Sequence, residues 1–170
     1  MARTHARVLV NIWADGDFTK LSGSEQRLYL LLLSQPDLNL CGVLPLRPKR
    51  WATFCPEDTP ESLLEELEGL QRAHYVLVDD SVDEVWIRSF IRYDGLLKSP
   101  NMVKAMWKVF DQLLSEPIRE GFRELFQQLV SEGMTKPHGE GEGVGGGSGS
   151  KILERCATCR KLPMDCECPK

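Results

Sequence analysis

The sequence predicts a mainly α-helical fold with one small β-hairpin, and three observations lead to this prediction. Helix-start signals recur along the chain, at Ser22, Thr59 and Ser99. Apolar residues that follow these signals repeat at helical spacing. Two short runs rich in β-branched and aromatic residues, 75–78 and 85–90, are separated only by a polar stretch. Few strands among several helices indicate the α+β class.

The 170 residues divide by composition into a body, a linker and a tail. Apolar residues are concentrated before residue 131, so residues 1–133 can bury a core of their own. Residues 134–150 contain a run of glycine, serine and glutamate that cannot bury enough apolar surface to offset its ordering entropy. This composition, which resembles an engineered linker, predicts a flexible connection. Residues 151–170 form a separate cysteine-rich tail.

The start of the body is predicted to be irregular and then helical. Residues 7–12 alternate weakly, which predicts a short strand or an extended arm, and the apolar residues of the turn-rich stretch that follows attach it to the core. Ser22 with Glu25 three residues later has the spacing of a capping box. The apolar run 28–33 then continues as a helix, because the cap and the good helix formers favour helix over strand. Pro36 ends it.

The middle of the body predicts a winged helix-turn-helix. Residues 42–46 indicate a very short strand, limited by its proline. Pro48 suits the first turn of a short helix that runs through Phe54, and Thr59 with Pro60 is a strong start for the next. Only residues 55–58 separate the two helices, so they form a helix-turn-helix pair. The hairpin follows this pair directly and is therefore the wing.

Two extra helices are predicted after the wing. The first opens at Ser99 and Pro100, and the second covers residues 115–130. Each places apolar side chains on one face, as a helix packed against a core does. Those side chains belong to Met102, Met106, Val109 and Leu113 in the first helix, and to Ile118, Phe122, Leu125 and Leu129 in the second.

The charge balance limits any nucleic-acid site to a local patch. The formal net charge is −4, and residues 1–133 carry 15 Lys and Arg against 20 Asp and Glu. A dedicated DNA-binding domain normally has a basic excess, because phosphate contacts supply most of its non-specific affinity. The predicted second helix of the pair also carries Glu61, Glu65, Glu66 and Glu68 beside Arg72. Phosphates would repel these carboxylates, so base readout by that helix is not expected.

The candidate DNA contacts are therefore the basic residues elsewhere on the body. They are Arg47, Lys49 and Arg50 at the first helix of the pair, Arg88 and Arg92 on the wing, and Lys98, Lys104 and Lys108 after it. In this interpretation the wing and the short helix straddle a backbone while Trp86 or Tyr93 stacks on an unpaired base. The alternative is that the charges are ordinary solvated side chains and that the aromatic residues belong to the core.

The tail predicts a zinc site. Cys156, Cys159, Cys166 and Cys168 lie within thirteen residues, and four soft thiolates suit tetrahedral Zn²⁺. The segment also has too little apolar material to fold without a cross-link, so we expect a small zinc knuckle. Disulfides or a redox-active pair are the alternatives, although a reducing cytosol disfavours disulfides. Cys41 and Cys55 lie apart in the body, where free thiols are usually small buried hydrophobes.

Catalysis and membrane insertion find no support in the sequence. His5, His74 and His138 are scattered, and no phosphate-cradling glycine motif is present. We therefore expect a binding protein and not an enzyme. No apolar stretch suits a signal peptide or reaches the roughly 18 residues that span a membrane. These features predict a cytoplasmic location.

Several segments carry a resemblance to a known family. They are residues 11–18 (Asn-Ile-Trp-Ala-Asp-Gly-Asp-Phe), 21–22 (Leu-Ser), 25–30 (Glu-Gln-Arg-Leu-Tyr-Leu), 42–46 (Gly-Val-Leu-Pro-Leu), 89–95 (Ser-Phe-Ile-Arg-Tyr-Asp-Gly) and 98–101 (Lys-Ser-Pro-Asn). Their order resembles the N-terminal winged-helix domain of phage replisome-organiser proteins, related to DnaD-type primosomal proteins, in the form found in actinobacterial phages and prophages. The likeness covers about residues 8–115.

This resemblance implies binding of origin or single-stranded DNA and recruitment of replication proteins. The second helical domain that such proteins commonly carry has no counterpart here, so helicase loading is not implied. The first hypothesis is thus a DNA-binding protein of phage or prophage replication initiation, or a related regulator. The second is a protein-protein adaptor that uses its acidic helix and its two C-terminal helices, because fold alone does not decide between these uses.

Overall fold

The structure is a computed structural model, and it describes residues 5–134. The predicted linker beyond residue 134 and the predicted zinc knuckle lie outside the described residues. Within 5–134 the helices are α1 (Gly23–Leu33), α2 (Pro48–Trp51), α3 (Pro60–Arg72), α4 (Phe90–Tyr93), α5 (Pro100–Phe110) and α6 (Glu116–Ser131), and the strands are β1 (Val43–Pro45), β2 (Val76–Asp79) and β3 (Glu84–Ile87). The mainly helical α+β class is confirmed.

The predicted helix starts are present because side chains satisfy the first backbone N–H groups. Ser22 Oγ accepts a hydrogen bond from Glu25 N at 3.2 Å, and the Glu25 carboxylate accepts one from Ser22 N at 2.7 Å. Thr59 and Ser62 form the same reciprocal arrangement at α3. Each cap supplies acceptors for backbone N–H groups that have no partner within the helix, which stabilises a helix start by about 1 kcal/mol.

The three strands form one antiparallel sheet in the order β1-β3-β2. Val43 pairs with Trp86, and Val78 pairs with Val85. Strand β3 is therefore central, and its side chains alternate between two apolar layers. Val85 and Ile87 belong to the core formed with α1 and α3. Trp86 faces the other way, where its ring lies 6.1 Å from that of Phe122 in α6.

Two sequence-based expectations for the elements differ from the structure. Of the two alternatives for residues 7–12, the strand is wrong, because no strand within residues 5–134 pairs with this segment. Leu9 has an extended backbone, in line with the extended arm, and Val10–Ala14 is a 3-10 turn. The second hairpin strand ends at Ile87 instead of Phe90. Its last ladder bond runs from Arg88 N to Tyr75 O, and beyond that point β2 has no residue left to pair. Phe90 instead begins the single turn of α4.

Two carboxylates of the hairpin hold the start of α6. The Glu84 carboxylate accepts hydrogen bonds from the backbone N–H groups of Leu114 at 3.3 Å and Ser115 at 3.0 Å. Asp79 accepts one from the Ser115 hydroxyl at 2.6 Å, and this bond lowers the pKa of the Asp79 carboxyl. The hairpin and the last helix are thus joined by polar contacts as well as by the apolar layer.

No helix among residues 5–134 is both long enough and apolar enough to cross a membrane. Of the two body cysteines, Cys41 is buried as expected, and burial raises the pKa of its thiol to about 12. Cys55 is half-buried, so the expectation of burial holds fully for Cys41 alone.

The turn before β1 gives a test of the fold. Gly42 has φ +79°, and a Cβ added there would lie 2.7 Å from Phe90 Cβ. We expect Gly42→Ala to lower the free energy of unfolding by about 2–4 kcal/mol, from left-handed strain and overpacking together. Gly133→Ala is the matched control, because Gly133 has φ +73° and no atom within 4 Å of the added Cβ. It should cost about 1 kcal/mol. Urea unfolding measures both, and equal losses would contradict the packing of Phe90 against Gly42.

Candidate functional site

A cavity of about 490 Å³ opens between the N-terminal segment and the end of the sheet opposite the hairpin turn. The N-terminal segment, α1, the β3–α4 junction and α6 contribute to its walls. The lining residues are Arg7, Leu9, Asn11, Ile12, Ala14, Asp15, Tyr29, Leu33, His74, Tyr75, Arg88, Ser89, Phe90, Arg92, Tyr93, Asp94 and Leu125. Cationic and aromatic side chains are therefore combined in one concave surface, the arginine-tyrosine cavity.

All three tyrosines of the chain line this cavity. The rings of Tyr29 and Tyr75 meet edge to face with centroids 5.3 Å apart, and both also pack on Phe18. The Tyr29 hydroxyl shares a hydrogen bond of 2.5 Å with Ser89 Oγ. These two tyrosines form a fixed floor. Tyr93 differs, because its side chain is 50% exposed and presents a free ring face at the rim.

His74 reaches the cavity from the end of α3 through a special backbone turn. Its φ is +62°, a left-handed conformation that is uncommon for residues other than glycine. The N–H of His74 bonds to Gln71 O at 3.0 Å, and the N–H of Tyr75 bonds to Leu70 O at 2.9 Å. This pair of bonds is a Schellman motif, which ends the helix and turns the chain into β2.

The three arginines of the cavity differ in their surroundings. A Cβ on Gly95, whose φ is +86°, would lie 2.5 Å from Arg7 Nη1, so glycine is what lets this guanidinium approach. The Arg88 guanidinium lies 5.8 Å from the Trp86 ring centroid. Neither Arg7 nor Arg88 forms an ion pair within residues 5–134. Arg92 is bound to Glu132, the residue that directly follows α6, at 2.8 Å.

The acidic residues of the cavity are already engaged. Asp15 Oδ1 accepts the backbone N–H groups of Asp17 at 2.9 Å and Phe18 at 3.3 Å, and Oδ2 accepts the Tyr75 hydroxyl at 3.4 Å. Asp94 has a partner of its own as well. The unpaired cations are therefore Arg7 and Arg88 among the described lining residues, and the cavity suits an anionic group beside an aromatic ring.

The sequence-based interpretation placed two basic groups on one surface, and the structure separates them. These groups are the residues at α2 (Arg47, Lys49 and Arg50) and those of the wing (Arg88 and Arg92). Leu46 N donates to Asp83 O at 2.7 Å, which puts the start of α2 beside the hairpin turn. Arg88 follows the other end of β3. Asp83 and Arg88 are five residue steps apart along the strand, or roughly 16 Å. The two groups therefore cannot form one compact patch.

The group at α2 is also partly neutralised. Arg47 Nη1 lies 3.0 Å from Asp37 Oδ2, and Arg50 Nη1 lies 3.7 Å from the same oxygen. Lys49 is exposed, as are Lys98 in the 3-10 turn Leu96–Lys98 and Lys104 with Lys108 on α5. In the described part of the chain these four lysines have no ion-pair partner. Lys98 lies nearest to the cavity along the chain, four residues after Asp94.

Trp86 does not stack on a base, because its side chain is 1% exposed. Its indole N–H donates to Cys41 O at 3.2 Å, and a Cβ on Gly121 would lie 2.9 Å from Trp86 Cζ3. The indole is thus enclosed between the sheet and α6. Of the two predicted stacking residues, Tyr93 alone is accessible.

One of the four α3 glutamates also points inward. Glu66 Oε2 is buried 3.9 Å from Arg27 Nη2, and burial raises the pKa of the Glu66 carboxyl. Arg27 is itself bound to Asp58 at 2.6 Å. Glu61, Glu65 and Glu68 are exposed as expected. Three carboxylates, not four, therefore face solvent on α3.

The predicted zinc ligands lie outside the described residues. Within residues 5–134, no group of three or more His, Cys, Asp or Glu side chains could hold a metal ion.

Sequence reasoning missed Arg7, His74 and the two floor tyrosines as parts of one site. The N-terminal segment reaches the β3–α4 junction only in the folded chain, so no local motif signals it. The one usable signal is Gly95, four residues before a proline-led helix start, because a glycine there permits a close approach of another side chain.

Comparisons of the chain with protein-family models, with curated proteins and with solved structures find no match.

The surroundings of Tyr29 and Tyr75 at the cavity floor predict that these two residues ionise at a higher pH than ordinary tyrosines. Burial raises the pKa values of Tyr29 and Tyr75, and the Asp15 carboxylate adds to the shift at Tyr75. Folding therefore favours the neutral phenols, so this contribution to stability is complete below about pH 10 and is lost as pH rises through the folded pKa values.

We expect phenolate absorbance from these two residues to develop above the ordinary tyrosine range, together with alkaline unfolding. A Tyr29→Phe/Tyr75→Phe variant should lose that late phase, whereas Tyr93→Phe should retain it. Ionisation of Tyr29 and Tyr75 at the ordinary tyrosine pKa in the folded protein would refute this description of the floor.

Proposed function

We propose that this protein is a winged-helix protein that binds single-stranded DNA through the arginine-tyrosine cavity and acts in phage or prophage replication initiation or related regulation. The order helix, strand, helix, helix, strand, strand, with β3 between β1 and β2, supports the winged-helix assignment. The observation that carries the binding proposal is the cavity, where two guanidiniums that form no ion pair within residues 5–134 lie beside an exposed tyrosine.

The geometry favours a single strand over a duplex. A splayed nucleotide brings a phosphate for Arg7 or Arg88 and a base that can stack on Tyr93, whereas a stacked base pair cannot enter a concave site of this size. A duplex held in the usual winged-helix manner would meet α3 and the hairpin turn. Those elements present Glu61, Glu65 and Glu68 together with the turn carboxylates, so phosphates would be repelled there.

In this proposal each side chain has a distinct role. Arg7 and Arg88 contact phosphate, Tyr93 stacks, and Arg92 braces the rim through Glu132. Lys98, Lys104 and Lys108 would follow the strand as it leaves the cavity. Replication or regulatory proteins in the bacterial cytoplasm are the partners that the family resemblance implies.

The test is fluorescence anisotropy of a labelled oligothymidylate with the full chain across a salt series. We expect Tyr93→Ala to weaken binding by roughly tenfold or more, the loss typical of one stacked base. Arg88→Ala should weaken binding and lower the slope of log K against log salt by about 0.7, the value for one phosphate contact to a single strand.

Lys49→Ala is the matched control, because it removes one exposed charge at the other end of β3 that has no ion-pair partner among the described residues. It should change affinity by less than about twofold. Absence of oligothymidylate binding at low salt would refute the proposal. An equal loss of affinity in Lys49→Ala and Arg88→Ala would show that the binding site is not the cavity.

We further propose that the tail binds Zn²⁺ through Cys156, Cys159, Cys166 and Cys168. The chemistry of the donor set supports this, since four thiolates favour zinc over the harder divalent cations. Metal analysis of protein purified without chelator should find one zinc per chain. Cys156→Ser/Cys159→Ser should lose it without changing the unfolding transition of the body, whereas Cys55→Ser should keep it. Metal-free protein with four reactive tail thiols would contradict the site.

A further inference from the structure

A second concave surface lies between α3 and the hairpin, away from the arginine-tyrosine cavity. It is a groove of about 500 Å³ whose floor is apolar and whose rim is acidic. The lining residues are Leu46, Pro48, Leu64, Glu68, Gln71, Val78, Asp80 and Asp83. We call it the acidic groove.

The floor offers apolar area that nothing within residues 5–134 covers. Leu64 is 40% exposed although it belongs to α3, and Leu46, Pro48 and Val78 are half-buried. Gln71 Oε1 accepts the outward N–H of Val78 at 2.7 Å, so the edge of β2 is already capped there. An occupant would therefore bind through side chains and not by adding a strand to this edge.

The rim carries one sign of charge. Glu68, Asp80 and Asp83 have no cationic partner in the described part of the chain, and Glu65 continues the acidic face along α3. Arg47 and Arg50, at the start of α2, are bound to Asp37. Asp79 and Glu84 hold the start of α6, whereas the rim carboxylates accept no hydrogen bond and form no ion pair within residues 5–134.

We propose that the acidic groove docks a basic amphipathic segment of a partner protein, in which aliphatic side chains fill the floor and Lys or Arg side chains meet the rim. Charge complementarity identifies this occupant. Duplex DNA would face three carboxylates that have no cationic partner in the part of the chain that the structure describes. A second copy of the chain would bring a net charge of −4 against an acidic surface. This docking is independent of DNA binding at the cavity, because the groove lies on the side of the hairpin turn.

The probe is a labelled synthetic peptide of leucine and lysine with the leucines at helical spacing, titrated with the full chain at physiological salt. We expect saturable binding, and amide shifts in α3 and the hairpin by NMR. Glu68→Lys/Asp80→Lys should weaken binding of the peptide by about tenfold or more. Asp80 is chosen over Asp83, whose φ of +54° would strain a lysine. Leu64→Ala should weaken binding through lost apolar contact.

The matched control is Glu120→Lys/Glu124→Lys, which makes the same change in net charge on the exposed face of α6. It should alter peptide affinity by less than about twofold, whereas equal losses in the two charge-reversed variants would overturn the proposal. No saturable binding of the peptide, or equal binding of a leucine-glutamate peptide, would also overturn it. Oligothymidylate affinity should not fall in Glu68→Lys/Asp80→Lys, which separates this result from the outcome at the cavity.

Discussion

The burial of Trp86 between the sheet and the last helices is the constraint on which the rest of the structure depends. Strand β3 is apolar on both faces, with Val85 and Ile87 in the core of α1 and α3 and Trp86 against Phe122. The absence of a side chain at Gly121 lets the indole fit. A half-covered sheet would expose this ring, so the C-terminal helices belong to the same cooperative unit as α1 and α3.

The burial of both faces of β3 also determines where the charged residues near the sheet lie. From Val85 to Ile87 the side chains on both faces of β3 are buried and apolar, so the charged residues lie at the two ends of the strand. At one end the chain turns with Asp80 and Asp83, and at the other it leaves the sheet with Arg88 and enters α4. The sheet thus separates a cationic, aromatic surface from an acidic, apolar one. Neither surface therefore has to bury a charge of the opposite sign, which would cost desolvation free energy.

The sequence predicted most helices because their starts are local chemistry. The capping pairs at Ser22 and Thr59 identify their helices from neighbouring residues alone. The side on which Trp86 lies was not predictable, because three consecutive apolar residues carry no polar alternation to mark an outer face. Pairs such as Arg92 with Glu132, forty residues apart, and the approach of Arg7 to Gly95 arise only after folding. The candidate site consists largely of such long-range contacts, so its basic residues were only partly identified.

The acidic balance of the body does not prevent an anion from binding at the cavity. Exposed charges separated by more than a Debye length, about 8 Å at physiological ionic strength, are largely screened from each other. The rim carboxylates and Arg88 are separated by roughly twice that length along β3. Local pairing decides the potential at each end instead. Within residues 5–134, Asp15 and Asp94 are engaged while Arg7 and Arg88 form no ion pair, and Asp37 partly neutralises the two α2 arginines beside the groove. A chain with net charge −4 can therefore present a site for phosphate and a site for a basic peptide at the same time.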